Sequence, residues 1–332
     1  MEQWWYMKDV AVIMGGPSSE HEVSLQSGAK VVEALALFDA SVRPIVVTRE
    51  GAWTVDGRAV GPENALNGVS AALLATHGEW GEDGRLQMLL ERFRVPYSGS
   101  GVDASAVSFD KALSRDVFSS HGLVVPRGMN IGRKNRLSGA DKKNIIETVP
   151  GDSWVVKPAR AGSSVGVTIV ASVEQIPDAL NTAWKFCDNA LIEERVKGTE
   201  VTCGILEQFP SRAPIALPLT QIIPSASHDF FDYTAKYSGD TSEVTPAPLD
   251  ETISELIKTV ALTAHRAVGA RHYSRTDMII KDGMPYVLEL NTLPGLTEQS
   301  LLPKQASAWG MPFPKLIEHI LELIMDDAKI KS

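Results

Sequence analysis

In the stretch YVLELN, an apolar run ends with Glu289 and Asn291 two residues apart. On a strand, residues i and i+2 share a face, so a carboxylate and an amide oxygen point the same way. The longer stretch RTDMIIKDGMPYVLELN reads as a hairpin about Asp282-Gly283, with Asp277 on the partner strand. A turn of odd length, with Gly283 at positive φ, would set Asp277 opposite Glu289 on that face. Two carboxylates and an amide are hard oxygen donors, suited to Mg²⁺ whose other positions are filled by phosphates. A solvated sheet face is the commoner reading of a single acid. It is weaker here, because the flanking residues are apolar and buried, unpaired carboxylates are costly.

A cation with open positions calls for a phosphate cradle. KPARAGSSVG, residues 157–166, is a Gly-Ser loop between strand-like runs, able to offer N–H groups and hydroxyls to a polyphosphate beside Lys157. It is not a Walker A loop, whose Lys follows the glycines, and a surface hairpin is an equal reading of this loop alone. LIEERVKGTE places Glu193, Glu194 and Glu200 around a chain reversal, where they could accept from a ribose or an adenine amino group. DYTAKY carries Lys236 and Tyr237. GGPSSEHEVS sets Glu20 and Glu22 at a helix start, where acids are favoured anyway. His77, beside a glycine turn, is a candidate base or a structural hydrogen-bonder.

These groups need elements to position them. DVAVIMGG reads as a buried strand closed by glycines, followed by a helix capped at Ser18 or Ser19 with apolar spacing through Val23, Val31, Val32 and Leu35. SVRPIVVT and AALLATHG are further strands, giving a mostly parallel sheet with its crevice beyond the strand C-termini. DKALSRDVFSSHG is a helix stopped by Gly122 before a short strand, and RKNRLSGADKK a solvated basic connection. Strands in SWVVKPARAGSSVGVTIV and NALIEERVKGTEVTCGIL alternate with period two, as in antiparallel sheets. DETISELIKTVALTAHRAVGA and PKLIEHILELIMDDA are amphipathic helices. Residues 224–248 lack periodicity, as in a lid or binding loop.

The chain has 332 residues, 44% apolar and 22% charged, with a net charge of -9. That length predicts two or three domains around a shared cleft. The negative charge, without a Lys/Arg run, argues against nucleic acid. No run approaches a membrane-spanning length, and MEQWWYMKDV has an acid where a signal peptide carries basic charge; a cytoplasmic address is expected. Cys187 and Cys203 alone cannot form a disulfide framework.

Taken together, GGPSSEHEVSLQSG, HGEWGEDGRLQ, PYSGSGVDASAVSFDK, VVKPARAGSSVGV, LIEERVKGTE, FFDYTAKY and ELNTLPGLTEQSLLP resemble, in order and spacing, the D-alanine–D-alanine ligase family of the ATP-grasp enzymes. The resemblance spans Val10 to Ala328. It implies three α/β domains: a Rossmann-like N-terminal domain (1–107), a central ATP-grasp domain (108–195) and a C-terminal one (196–332) with a lid loop at 224–248. ATP would lie between two antiparallel sheets. Asp277, Glu289 and Asn291 then resemble holders of two Mg²⁺ ions, with Mn²⁺ as an alternative. Lys111 and Lys157 resemble the lysines on the α- and β-phosphates, Ser164 lies in the covering loop, Glu193 and Glu200 match the adenine and ribose sides, and Lys236 the γ-phosphate. Glu20, joined to Ser163 and Tyr237, resembles the acceptor of the first D-alanine's ammonium, with His77 nearby. Ser300 and the Leu301 backbone resemble the second substrate's carboxylate anchor, and Arg275 with the Gly295 N–H the oxyanion site. Small-molecule substrates, D-alanine and ATP, and a homodimer follow from the same likeness. A ligase with D-serine or D-lactate as second substrate, and a catalytically silent nucleotide-binding regulator, stay open as alternatives.

Overall fold

The computed structural model describes residues 9–38, 40–134, 139–224 and 242–330. In the first layer, β1 (Asp9–Gly15) pairs in parallel with β2 (Ser41–Val47) and β5 (Ala71–Leu74). β3 (Trp53–Val55) and β4 (Arg58–Val60) continue the sheet antiparallel, giving the order β4-β3-β2-β1-β5. α1 (His21–Ala36) packs on β1, and α2 (Pro62–Leu66), α3 (Arg85–Arg92) and α4 (Val102–Phe109) follow in the connections. The helix start differs from the sequence expectation: Glu20, not a serine, holds the N-cap position of α1. Ser18 Oγ instead accepts from the Glu20 N–H at 3.0 Å, and both Ser18 and Ser19 donate to the Glu79 carboxylate.

α5 (Lys111–Ser120), capped by the Asp110 side chain, leads to the second sheet. Its strands are β6 (Gly128–Gly132), β7 (Trp154–Pro158), β8 (Thr168–Val170) and β9 (Asn189–Glu194), antiparallel in the order β6-β9-β7-β8. α6 (Gly139–Thr148) and α7 (Ile176–Ala183) cover it, burying Trp154, Val156, Ile176, Leu180 and Ile192. Part of the expected basic connection is therefore α6, whose polar composition concealed a helix resting on Ile145 and Val149.

The third sheet, in the order β13-β12-β10-β14-β15 with β11 added on β10, is antiparallel. It comprises β10 (Thr199–Glu207), β11 (Pro214–Ala216), β12 (Thr220–Ile223), β13 (Ser242–Val244), β14 (Tyr273–Lys281) and β15 (Met284–Asn291). α8 (Glu251–Ala267) buries Ile257, Ala261 and Ala264 against Val201, Met278 and Val287. Of the expected loop 224–248, residues 225–241 lie outside the described residues, and Ser242–Val244 is a strand. α9 (Leu301–Ala308) and α10 (Phe313–Ile330) close the chain. α10 returns to the first layer, where Leu316, Ile320 and Ile324 share the core of Val12, Ile13 and Leu73.

The β14–β15 hairpin corrects the expectation of an odd-length turn. Lys281 pairs with Met284, so the turn is the two residues Asp282 and Gly283, both at positive φ (51° and 75°), as a type I′ turn requires. Continued regularly, that register would place Asp277 opposite Leu288. The ladder instead shifts between Asp277 and Met278, leaving Leu288 as an extra residue and pairing Asp277 with Glu289 and Arg275 with Asn291. A bulge, not the turn, brings the two carboxylates to one face.

Candidate active site

A cleft of about 910 Å³ opens between the second and third sheets and the C-terminal edge of the first. Every candidate residue within the described part of the chain lines it: Glu20, His77, Lys111, Lys157, Ser163, Ser164, Glu193, Glu200, Arg275, Asp277, Glu289, Asn291, Gly295, Ser300 and Leu301. Lys236 and Tyr237 lie outside the described residues.

At the carboxylate pair, Asp277 is gripped on both oxygens. Arg275 donates Nε–H to Oδ1 (2.8 Å) and Nη2–H to Oδ2 (2.7 Å), and the Thr202 hydroxyl donates to Oδ1 (2.6 Å). Asn291 Nδ2 donates to Oδ2 (3.2 Å), which turns its amide oxygen away from Asp277. Glu289 Oε2 lies 3.0 Å from Lys111 Nζ, which also donates to the Ala161 carbonyl (2.9 Å). Burial would raise the Glu289 carboxyl, but the charge and hydrogen bond of Lys111, then Lys157 and Arg275, hold it well below the usual range. Glu200 goes the other way: burial, then the charges of Asp277 and Glu289, push it up to about 8 against the pull of Arg275.

Lys157 Nζ lies 2.6 Å from Glu193 Oε2, and both side chains are buried. The loop after β7 places Ser163 and Ser164 in left-handed backbone (φ 48° and 56°), and the Ser163 hydroxyl donates to Glu20 Oε1, tying this loop to the start of α1. His77 contacts Ser27 Oγ through Nε2 (2.9 Å) and the Leu293 carbonyl through Nδ1 (3.2 Å). A carbonyl only accepts, so Nδ1 carries the proton and the ring staples β5 to the turn after β15. Ser300 Oγ accepts from the Thr297 N–H (3.3 Å) and lies 2.9 Å from Thr297 Oγ1. Gly295 packs closely on Ser300, since a Cβ there would stand 2.7 Å from Ser300 Oγ. Leu301 opens α9 and lines the cleft with Ser300, so the first turn of the helix, whose N–H groups have no partner within the helix, begins at the cleft wall.

Two functional neighbours carried little sequence signal. Thr202, on the strand next to Asp277, becomes visible only through the β10–β14 register. Glu82, in the HGEWGEDG motif, lines the cleft and accepts from the Gly78 N–H at 2.8 Å. The acidic motif could have flagged it.

Two antiparallel sheets facing one another across a cleft, with a mixed sheet centred on three parallel strands at its mouth, are the ATP-grasp architecture. Family models described as "D-ala D-ala ligase N-terminus" and "D-ala D-ala ligase C-terminus" match residues 9–67 and 117–322. The D-alanine--D-alanine ligase of Syntrophotalea carbinolica is 38% identical over 95% of this chain and 95% of its own, and that of Anaeromyxobacter sp. is 40% identical over 96% and 97%. Among solved structures, the Bacillus anthracis D-alanine--D-alanine ligase complexed with ATP superposes with a TM-score of 0.79 at 30% identity, covering 98% of this chain and 100% of that one. The VanG D-Ala:D-Ser ligase of Enterococcus faecalis reaches 0.82 at 29% identity, covering 96% and 99%. The chain belongs to the D-alanine–D-alanine ligase family. Among the described residues, no helix is long and apolar enough to cross a membrane.

Proposed function

We propose that this protein is an ATP-dependent ligase that joins two D-alanines through an acyl phosphate, supplying the dipeptide for peptidoglycan precursors in the cytoplasm, as a homodimer. The observation that carries this reading is the single cleft in which an acid-rich face, buried lysines and an oxyanion-type turn converge.

A carboxylate resists attack by an amine, so one substrate carboxylate must first be phosphorylated. The Glu20–Ser163 pair offers an anionic seat for the first substrate's ammonium. Lys111 and Lys157 would pair the phosphates, with Ser164 and Lys236 over them and Glu193 and Glu200 toward the nucleoside. Phosphoryl transfer asks mainly for such positioning and charge neutralisation. Asp277, Glu289 and Asn291 share one sheet face and would offer oxygen donors there, Asn291 with its amide turned over, and Glu200 lines the same cleft. The donors fit Mg²⁺ or Mn²⁺. Such a cation would keep positions open for substrate phosphates. Two bound Mg²⁺ ions would supply neutralisation of phosphate charge.

Ser300 Oγ and the N–H groups at Leu301 would anchor the second carboxylate at the α9 N-terminus. Its amine, once deprotonated, attacks the activated carbonyl carbon. The tetrahedral oxyanion is met by Arg275 and the Gly295 N–H, each such donor being worth about 3–4 kcal/mol in a comparable site. Collapse expels inorganic phosphate and leaves the amide. Tyr237 would link the Glu20–Ser163 pair to segment 224–248, closing the site from water.

ADP release measured side by side with D-alanine alone and with added D-serine or D-lactate tests this reading. D-alanine alone should support turnover matched by dipeptide. Turnover that requires D-serine would transfer the assignment to the activity named for the Enterococcus faecalis relative, and no turnover with any of them would overturn it.

A further inference from the structure

His272 lies in left-handed backbone, φ 61°, and is completely buried. A residue with a Cβ is disfavoured there and persists only when its surroundings hold it. Both ring nitrogens are in use. The Gly99 N–H donates to Nδ1 (3.1 Å), so the proton resides on Nε2, which donates to Asp327 Oδ2 on α10 (3.1 Å). One neutral tautomer satisfies both bonds. The adjacent Arg271 donates Nε–H to the Gly99 carbonyl (2.8 Å) and Nη1–H to Asp327 (3.0 Å). Two successive residues of the third layer therefore hold the N–H and the C=O of one residue of the first.

The residue so held lies beside the reacting region. A Cβ on Gly99 would stand 2.6 Å from Leu293 Cδ2 and 3.4 Å from the Thr292 carbonyl. Leu293 is buried, and its own carbonyl is bound by His77. It is thus seated between Gly99 and His77, two residues beyond Asn291 and two before Gly295.

We propose that His272 is a positioning residue for the ligation: it fixes the Gly99 peptide as the floor under Leu293 and thereby sets where the Gly295 N–H stands relative to Asn291. The inference rests on the assignment of the Gly295 N–H to the oxyanion. Burial, with the charges of Arg271 and Arg212, lowers the imidazole to about 4 against the pull of Asp327, so the neutral form that the clamp needs persists at neutral pH.

Glycine accepts this φ but offers no acceptor, whereas asparagine also tolerates it and presents Oδ1 near the place of Nδ1. H272G should lower kcat about tenfold or more while leaving KM for ATP within about twofold, because small misplacements of reacting groups are costly. H272N should restore kcat to within about threefold, since the Gly99 N–H keeps a partner. Hydrogen exchange reads the turn without turnover: the amides of Leu293, Gly295 and Leu296 should exchange at least about tenfold faster in H272G and at the wild-type rate in H272N. Equal exchange in all three proteins, or wild-type kcat in H272G, overturns the proposal. If H272G does not fold, H272N decides: kcat within about threefold of wild type with wild-type exchange at these amides is expected, and a kcat lowered more than about tenfold with wild-type exchange overturns the proposal. Wild-type protein that makes no dipeptide yet shows the exchange pattern would remove the ligase reading and leave the clamp standing.

Discussion

Glu289→Gln keeps the shape of the side chain and deletes one charge from the face shared with Asp277. Lys111 Nζ stands 3.0 Å from Glu289 Oε2, with the two side chains 15% and 32% exposed. Losing one partner of a fully buried pair costs about 3–5 kcal/mol. The partial exposure of Glu289 and the amide oxygen left for Lys111 bring this to roughly 1–2 kcal/mol, a fall of a few degrees in Tm. The catalytic effect should be larger: if the proposed cation is held at this face, several kcal/mol of charge stabilisation would be lost, so kcat/KM should drop about 10²–10³-fold. Glu193→Gln is the contrast. Its partner Lys157 is 2.6 Å away, and the side chains are 11% and 6% exposed. Its stability loss should reach roughly 2–3 kcal/mol, with the kinetic loss mainly in KM for ATP. Thermal melts and ADP release across a Mg²⁺ titration measure both. E289Q that keeps more than about a tenth of wild-type kcat/KM at saturating Mg²⁺, or that melts below E193Q, would refute the reasoning.

Thr202→Val removes the 2.6 Å hydroxyl bond that orients Asp277 while preserving volume; the Mg²⁺ concentration for half-maximal rate should rise about 10–100-fold, and an unchanged value would discount Thr202. Ser300→Ala should raise KM for the second amino acid by about 10–100-fold and spare ATP, as expected for one lost bond to a carboxylate; equal effects on both substrates would contradict its role. Glu200 ionises near 4.5 when unfolded but is pushed up to about 8 when folded, so its stabilising contribution is complete at acid pH and is lost as pH rises between these values. In EDTA, Tm should therefore decline from about pH 5 to 8 and level off above that, and E200Q should flatten that decline; parallel curves would refute the shift.

Much of this arrangement was legible from residue order. Period-two runs located β7 to β10, helical spacing located α1, α8 and most of α10, and the motif order announced the family. The register of Asp277 and Glu289 was not legible, because side-chain alternation is local, whereas a one-residue bulge at Leu288 is fixed by pairing across the sheet. Serine spacing predicted a cap for α1, but Ser18 and Ser19 are engaged by Glu79 from the loop that follows β5, a long-range contact. The role of His272 was not legible either: the turn it sits in is closed locally by the Tyr273 N–H on the Arg271 carbonyl at 2.7 Å, but its ring partners Gly99 and Asp327 lie far away in sequence.

The central claim is that a D-alanine carboxylate is activated by phosphorylation before the amide forms. D-Alanine labelled with ¹⁸O in its carboxylate, turned over with ATP and Mg²⁺, tests it directly by mass spectrometry of the released phosphate. Attack of a carboxylate oxygen on the γ-phosphorus, followed by expulsion of phosphate from the tetrahedral carbon, carries one ¹⁸O into each inorganic phosphate. Phosphate without label, alongside formation of the dipeptide, would contradict the account.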